Sequence, residues 1–172
     1  MNLHDRPENP VSYELTPCAP GDLTAQELKR CIAIIGEGGA VSLATLKRDL
    51  PRSSVLAIAR HKQEIVGIGA IKPLRKEYAA NVAVKSGFTF PSDTLELGYV
   101  AVDPAHRGRG LSLQITRLLL SQHTDRLFAT TYDDRMKHTL ETAGFVKRGR
   151  EWKGRTRTLS FWEIGAEAPT KE

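Results

Sequence analysis

A strand that stops at a glycine-rich turn and is followed at once by a helix is the segment that most constrains this chain. The β-favouring run Leu95–Val102 ends at an Asp-Pro pair, and an apolar-periodic helix is predicted to begin at Leu111. Gly108 and Gly110 lie between them. Glycine lets the backbone approach a ligand closely, and the unpaired amides and positive end of a helix stabilise an anion. The segment therefore predicts a phosphate-binding turn.

Other phosphate-binding motifs fit the chain less well. The dinucleotide pattern G-x-G-x-x-G fails at Leu113, where a third glycine is needed. The stretch 149–156 resembles a P-loop only superficially, since Arg155 replaces the lysine and β-favouring residues follow where a helix should begin. The two-glycine turn is therefore the better candidate, and Arg107 and Arg109 add positive charge at its rim.

Hydrophobic periodicity and turn residues predict strands and helices on both sides of this turn. The predicted strands are 11–15, 53–60, 64–71, 95–102, 127–131, 145–150 and 158–164, and the predicted helices are 24–36, 41–50, 73–87, 111–122 and 133–143. This order indicates a mixed α/β or α+β sheet. We expect residues 1–10 to form a flexible lead, 11–164 a single domain, and 165–172 a flexible tail.

Cysteine spacing and apolar runs exclude several classes of protein. Cys18 and Cys31 show no CxxC or Cys/His pattern, so we expect two reduced thiols and no bound metal. The N-terminus lacks the apolar core of a signal peptide, and no stretch approaches the roughly 18 apolar residues of a membrane span. We therefore expect a cytoplasmic protein without a membrane partner.

A surplus of basic residues indicates an anionic partner. The chain carries 25 Lys and Arg against 20 Asp and Glu, a formal net charge of +5. A nucleic acid and a polyphosphorylated cofactor would both satisfy this charge. Aromatic residues make up only 6% of the chain, too few for a platform that stacks bases, so nucleic acid is the weaker hypothesis.

The segment Arg107-Gly-Arg-Gly-Leu-Ser112 resembles the (Q/R)xxGx(G/A) signature of the Gcn5-related N-acetyltransferase family. Ser112 replaces the usual Gly or Ala with another small residue. The resemblance implies a Gcn5-like acyl-CoA N-acyltransferase fold, whose mostly antiparallel, twisted sheet is splayed between strands 4 and 5 and carries helices on both faces. It implies acetyl-CoA as the co-substrate and, as residues that hold its diphosphate, Arg107, Gly108, Arg109, Gly110, Leu111 and Ser112.

The same resemblance implies contacts along the strand before the turn. In this family the pantetheine arm pairs with that strand, which here implies the backbone of Val100, Ala101 and Val102. A β-bulge would leave amides free, and the N–H of Val100 is the candidate to stabilise negative charge on the thioester oxygen. Asp133 stands where the family often has an asparagine that touches pantetheine, and it fits an N-cap equally well.

Proton transfer needs a base and can use an acid, because an amine acceptor is protonated at neutral pH. Glu96, on the central strand, resembles in position the glutamate base of this family; a salt-bridged or solvated carboxylate is the alternative. The family's tyrosine acid is missing, since its place before the Gly-Phe pair of the last helix is Leu140. Tyr132 is the first replacement, followed by Tyr99 or by unassisted departure of the thiolate.

The predicted function is transfer of an acetyl or other acyl group from acetyl-CoA to a primary amine by direct attack. Ser112 and Leu140 depart from the family pattern and keep open a CoA-binding regulatory or interaction module with weak catalysis. Thiol release with a panel of amines separates these two hypotheses. Salt-dependent RNA binding that CoA does not affect would favour a third, a basic RNA-associated protein. The acceptor, small molecule or polypeptide, stays undecided, and a homodimer paired through the C-terminal strands is compatible with the pattern.

Overall fold

Local sequence signals set most of the helix boundaries. The computed structural model describes residues 11–165, so the predicted lead 1–10 and nearly all of the predicted tail lie outside the described residues. The predicted capping box is present: Thr24 Oγ1 accepts from the Glu27 N–H, and the Thr24 N–H donates to the Glu27 carboxylate. Gly87 and Gly144 end two later helices with positive φ, as left-handed C-caps do.

The described residues form five α-helices and seven strands. The helices are α1 (Ala25–Glu37), α2 (Leu43–Asp49), α3 (Lys76–Ser86), α4 (Leu111–Ser121) and α5 (Asp134–Ala143). The strands are β1 (Glu14–Cys18), β2 (Val55–His61), β3 (Glu64–Ile71), β4 (Leu95–Val102), β5 (Leu127–Thr131), β6 (Val146–Lys153) and β7 (Thr158–Ile164). Every predicted element is present, with boundaries shifted by a few residues.

The seven strands join one sheet in the order β1-β2-β3-β4-β5-β7-β6. Every neighbouring pair is antiparallel except β4 and β5, which run parallel. That parallel pairing covers only Leu95 opposite Leu127 and Glu96 opposite Phe128. Beyond these two pairs the described strands are no longer in register, and we call this opening the splay. The predicted mostly antiparallel sheet, opened between strands 4 and 5, is confirmed.

Helices cover both faces of the sheet. α4 and α5 pack on the face that carries Leu97, Leu127 and Ala129. α1 and α2 pack on the opposite face, where α1 contacts β3 and β4. Phe128 alternates with its two neighbours on β5 and therefore points to this second face, where α3 packs against β6 and β7. The part of this face above the splay accordingly lies between α1 and α3.

Two boundaries differ from the predictions for local reasons. β1 begins at Glu14 instead of residue 11 and continues through Pro17. A proline is tolerated there because β1 is an edge strand that pairs only with β2. α3 begins at Lys76, not at Pro73, because Arg75 has a non-helical φ of −131° and serves as the N-cap.

Candidate active site

A β-bulge interrupts β4 beside the splay. Between Gly98 and Ala101, β4 contains one residue more than the facing segment of β3. The extra residue falls at Tyr99 and Val100, and Tyr99 has a φ of 54°, in the left-handed region that non-glycine residues rarely adopt. A bulge leaves a residue outside the ladder and redirects its backbone groups. The bulge considered in this strand as a source of free amides is present.

The ladder also indicates which backbone groups of β4 face the splay. The Asp103 N–H donates to a β3 carbonyl at 2.7 Å. Because successive residues of a strand alternate in direction, Val102 and Val100 turn their N–H and C=O away from β3, whereas Ala101 faces β3. Consistently, the Val102 carbonyl accepts from Arg107 Nε at 3.1 Å. Val100 and Val102 therefore present backbone groups to the splay, and Ala101 lies between them.

The two-glycine turn (residues 107–112) is made by the backbone at the start of α4. Gly108 and Gly110 both have a φ of 76°, and a Cβ at either position would meet no atom within 4 Å. Glycine is therefore required here by backbone conformation and not by crowding. Gly110 is the N-cap of α4 and offers no side-chain cap, so the first amides of the helix lack a side-chain acceptor. These donors can receive an anion.

The side chains of the two-glycine turn have different roles in the fold. Arg107 is tied back to the end of β4 through its Nε, while Arg109 is exposed. Leu111 is fully buried in the core and fixes the first turn of α4 on the sheet. Ser112 is partly buried, and its carbonyl accepts from Thr116 Oγ1 at 2.8 Å. The turn is thus anchored by Leu111 and open at its two glycines.

Glu96 is buried on the face of β4 that lies between α1 and α3. Its Oε1 is 2.7 Å from Nζ of Lys72, the residue after β3. Oε1 is buried, and the Lys72 ammonium at this distance is its charged partner. The salt-bridged carboxylate that the sequence left as an alternative is therefore present, and it is the environment of the candidate base.

Lys72 reaches this carboxylate by crossing β4. A Cβ at Gly98 would lie 2.8 Å from Lys72 Cε, so the lysine side chain occupies the space that the glycine leaves free. The Lys72 ammonium also lies 4.3 Å from the centre of the Tyr99 ring, a cation–π contact. We call Lys72, Glu96, Gly98 and Tyr99 the Glu96 cluster.

One tyrosine of the Glu96 cluster and a second tyrosine beside the cluster have raised pKa values. Burial raises the pKa of Tyr99 to about 12, and the negative charges of Asp49 and Glu96 act in the same direction. Burial also raises the pKa of Tyr78 to about 12, again with a contribution from Glu96. The Tyr78 hydroxyl shares a 2.9 Å hydrogen bond with Thr130 Oγ1 of β5. Both phenols therefore carry their proton at neutral pH.

The predicted acid and the predicted pantetheine contact lie together at the end of β5. Tyr132 is partly buried, and the Arg157 guanidinium lies 5.2 Å from the centre of its ring. Asp133 is the N-cap of α5, where its Oδ1 accepts from the N–H groups of Arg135 and Met136. This cap accounts for Asp133 without any ligand.

Three residues around Glu96 are not among the catalytic and co-substrate-binding residues predicted from the sequence. They are Lys72, Tyr78 and Arg75, whose guanidinium lies 4.5 Å from the centre of the Tyr78 ring. Lys72 and Arg75 are part of a basic run that also fits a solvated surface, so no local signal marks Lys72 as the partner of Glu96. Leu140, in the place of the family's tyrosine, is completely buried in the core under α5.

Metal-ligating clusters and membrane-spanning helices are both missing from the part of the chain that the structure describes. Residues 11–165 contain no group of three or more His, Cys, Asp or Glu side chains that could hold a metal ion. Among the same residues, no helix has the length and apolar character needed to cross a membrane.

Solved acyltransferase structures share this fold. A GNAT-family acetyltransferase from Streptococcus agalactiae, 13% identical, has a TM-score of 0.69 and covers 92% of this chain and 99% of its own. An acyl-CoA N-acyltransferase from Pseudomonas aeruginosa, 14% identical, has a TM-score of 0.62 with 88% and 99% covered. A GNAT-family acetyltransferase from Bacillus cereus, 15% identical, has a TM-score of 0.61 with 89% and 96% covered. The fold is that of the acyl-CoA N-acyltransferases.

A family model places the chain more closely within this class. The model described as the Acetyltransferase (GNAT) family matches residues 26–145, well over half of the chain. The chain belongs to the GNAT family of acyltransferases, which use acetyl-CoA as co-substrate. No curated protein sequence matches it at a significant level.

Proposed function

We propose that this chain transfers an acetyl group from acetyl-CoA to a primary amine that attacks the thioester directly. The observation that carries the proposal is the bulge of β4 beside the splay. It turns the backbone of Val100 toward an opening that no strand of the described sheet fills. An extended arm can pair there with the free backbone groups, and the two-glycine turn lies at the end of the same strand.

The fit of the co-substrate rests on backbone groups of this chain. Gly110 exposes the amides at the start of α4, which suit a diphosphate. When bound, acetyl-CoA supplies a thioester whose carbonyl carbon accepts the amine. The residues proposed to hold it are Arg107, Gly108, Arg109, Gly110, Leu111 and Ser112 at the diphosphate, and Val100, Ala101, Val102 and Asp133 along the pantetheine arm.

The residues proposed to hold acetyl-CoA differ in the contacts that they make within the fold. Val100 and Val102 have backbone groups on the splay side, whereas Ala101 contributes mainly its position between them. Asp133 already caps α5, with its Oδ1 accepting from two backbone N–H groups of the helix. Arg107 supports the turn by donating from its Nε to the Val102 carbonyl.

Val100 is proposed to stabilise the charge that develops on the thioester oxygen. Its N–H is directed to the splay by a backbone conformation that Tyr99 holds at positive φ, so the donor is oriented before the reaction begins. A single preoriented donor of this kind contributes roughly 10²- to 10³-fold to turnover in enzymes where it has been removed.

Glu96 is proposed to accept the proton of the attacking amine. Its Oε1 is buried on the face above the splay, where a carboxylate can accept a proton from a bound amine. Lys72 holds the same atom in an ion pair, which an incoming ammonium group must share or replace. General base catalysis at such a position contributes about 10²- to 10⁴-fold.

Tyr132 is proposed to protonate the departing thiolate. It follows β5, the strand on the other side of the splay, and Arg157 contacts its ring. Tyr99, in the bulge of β4, is a second candidate donor, since its raised pKa keeps the phenol protonated. A thiol with an ordinary pKa of about 8.5 also leaves without assistance, so loss of either phenol should slow turnover without abolishing it.

The proposal is tested by titrating the isotope-labelled full-length chain with CoA and acetyl-CoA and following its amide signals. The signals of residues 107–112 and of Val100 should shift, while those of the exposed hairpin turn 62–63 should not. Thiol release is then measured with a panel of primary amines, amino acids and lysine peptides. Unmoved turn signals at saturating acetyl-CoA would falsify the proposal.

A non-catalytic role is the second candidate, and Leu140 is the observation that favours it. This residue is buried in the core where the family has its tyrosine acid. Shifted amide signals without thiol release for any amine of the panel would assign the chain to CoA binding alone. Thiol release that depends on one class of amine would identify both the activity and the acceptor class.

A further inference from the structure

The amine of Lys72 is held at the carboxylate proposed to deprotonate the acceptor. Its Nζ is 2.7 Å from Glu96 Oε1, and the side chain is only 13% exposed. No other basic nitrogen forms an ion pair with Glu96 within the described residues 11–165. Glu96 is proposed to take a proton from a bound amine. The amine next to Glu96 in this structure is the side chain of Lys72.

Gly98 places this amine beside the bulge. The lysine stem lies against the Cα of Gly98, where a Cβ would come within 2.8 Å of Lys72 Cε. Gly98 is two residues before Val100 on β4, so the ammonium group crosses the strand next to the proposed oxyanion donor. The Tyr99 ring covers the ammonium at 4.3 Å. The Lys72 nitrogen, the proposed proton acceptor Glu96 and the proposed oxyanion donor Val100 therefore all lie along residues 96–100 of β4.

We propose that Lys72 is a self-acetylation site, at which the chain acts once as its own acyl acceptor. The inference rests on the proposed function, because it uses Glu96 as base and acetyl-CoA as acyl donor. The Lys72 ammonium passes a proton to the Glu96 carboxylate, and Nζ then forms a bond to the acetyl carbonyl carbon. The carbon–sulfur bond breaks, and the CoA thiolate takes up the second proton that Nζ loses on becoming an amide, so that CoA leaves as a thiol. One acetyl group is transferred and no oxidant or reductant is needed.

Acetylation would change the Glu96 cluster in a defined way. The amide product has no charge, so Glu96 loses its ion-pair partner, and its Oε1 becomes free to receive the proton of an external amine. A single acetylation of Lys72 would therefore allow Glu96 to act as the base for an external amine. The first equivalent of CoA should accordingly appear without any added acceptor.

The test uses the full-length chain with acetyl-CoA and no added amine, followed by intact mass measurement and peptide mapping. We expect the mass of one acetyl group per chain, located on Lys72, at a rate independent of protein concentration. Lys72→Arg keeps the positive charge and should remove the label. Lys76→Arg, the same change at an exposed lysine on α3, should leave it. Glu96→Gln should slow labelling at Lys72 roughly 100-fold.

Non-enzymatic acetylation of lysines by acetyl-CoA would give a different labelling pattern. It follows exposure, so it would label exposed lysines before Lys72 and would persist in the urea-unfolded chain. Such a pattern, or thiol release with an external amine and no label on wild-type Lys72, overturns the inference and leaves the proposed function in place. Failure of acetyl-CoA to shift the signals of residues 107–112 overturns both. The wild-type peptide map decides the question even where a variant does not fold.

Discussion

The two-glycine turn and the Glu96 cluster lie at opposite ends of β4 and are built in opposite ways. The turn is exposed, contiguous in sequence, and made of backbone amides whose geometry depends on two positive φ angles. The Glu96 cluster is buried, joins three residues of β4 to the residue that follows β3, and depends on side-chain contacts. An exposed backbone site can lose its ligand with little loss of stability. A buried ion pair cannot lose a partner without leaving an uncompensated charge.

The largest expected effect separates binding from stability at the turn. Gly110→Val should lower the affinity for CoA by roughly a hundredfold or more, equivalent to about 2.7 kcal/mol, because the backbone leaves the conformation that presents the amides. Stability should fall by only about 1–2 kcal/mol, the cost of a left-handed conformation for a side chain. Calorimetric titration and urea unfolding measure the two quantities.

Gly39→Val is the matched control for Gly110→Val. Gly39 lies between α1 and α2 and has a φ of 67°, and a Cβ there would likewise meet no atom within 4 Å. It should show the same loss of stability with an unchanged affinity for CoA. Equal affinities for CoA in the two valine variants would show that the two-glycine turn has no special role in CoA binding.

At the Glu96 cluster we expect the opposite result, a loss of turnover and stability with little change in the affinity for CoA. Glu96→Gln should reduce kcat roughly 100-fold while changing the affinity for CoA little, because the carboxylate lies away from the diphosphate. It should also lower the free energy of unfolding by about 3 kcal/mol, since Lys72 stays buried without its counter-charge. Steady-state kinetics, calorimetric titration and urea unfolding of one preparation give all three values.

Glu64→Gln makes the same chemical change at an exposed strand carboxylate. It should leave kcat, affinity and stability close to those of the unmodified chain. A Glu96→Gln variant with unchanged kcat and reduced stability would show that the buried ion pair is purely structural, and Glu96 would have to be abandoned as the base.

The smallest expected effect concerns the ion pair between α1 and the residue that follows β4. Arg30 of α1 lies 2.6 Å from Asp103, directly after β4. The Ala105 N–H, followed by Arg30, lowers the pKa of the Asp103 carboxyl. A carboxyl with a depressed folded-state pKa stabilises the fold above its unfolded value of about 3.9, and this contribution is lost as the pH falls through the folded pKa.

Asp103→Ala should therefore cost about 1 kcal/mol at neutral pH and less in acid. Urea unfolding at a series of pH values below about 4 should show a smaller difference between variant and parent at each step downward. Asp93→Ala, at an exposed position before β4, is the control and should show no such convergence. A difference that grows in acid would contradict the assigned direction of the pKa shift.

Much of the fold could be predicted because its signals are local. The capping box of Thr24 and Glu27, the strand Leu95–Val102 and the left-handed cap at Gly144 are present as predicted. Each depends on residues within a few positions of one another, where backbone conformation and short hydrogen bonds decide the outcome. The position of the two-glycine turn could be predicted for the same reason.

The contacts of the Glu96 cluster could not be predicted. Nothing in the spacing of Lys72 and Glu96 indicates a 2.7 Å ion pair, because α3 and its connections separate them in the chain. The same holds for the hydrogen bond between Tyr78 and Thr130. Asp133 shows a related difficulty, since a pantetheine contact and an N-cap demand the same short polar side chain, and only the structure shows the cap.

The sequence by itself determined the positions of the strands and helices, the glycine turn at the start of α4 and the likeness to one acyltransferase family. Tertiary structure decided how far β4 and β5 separate, which backbone groups Val100 and Val102 turn to the splay, and which amine occupies the carboxylate of Glu96. The physical reason is the distance along the sequence between the residues that interact. Turns, caps and periodicity arise from neighbouring residues, whereas a buried ion pair exists only where packing brings distant segments together.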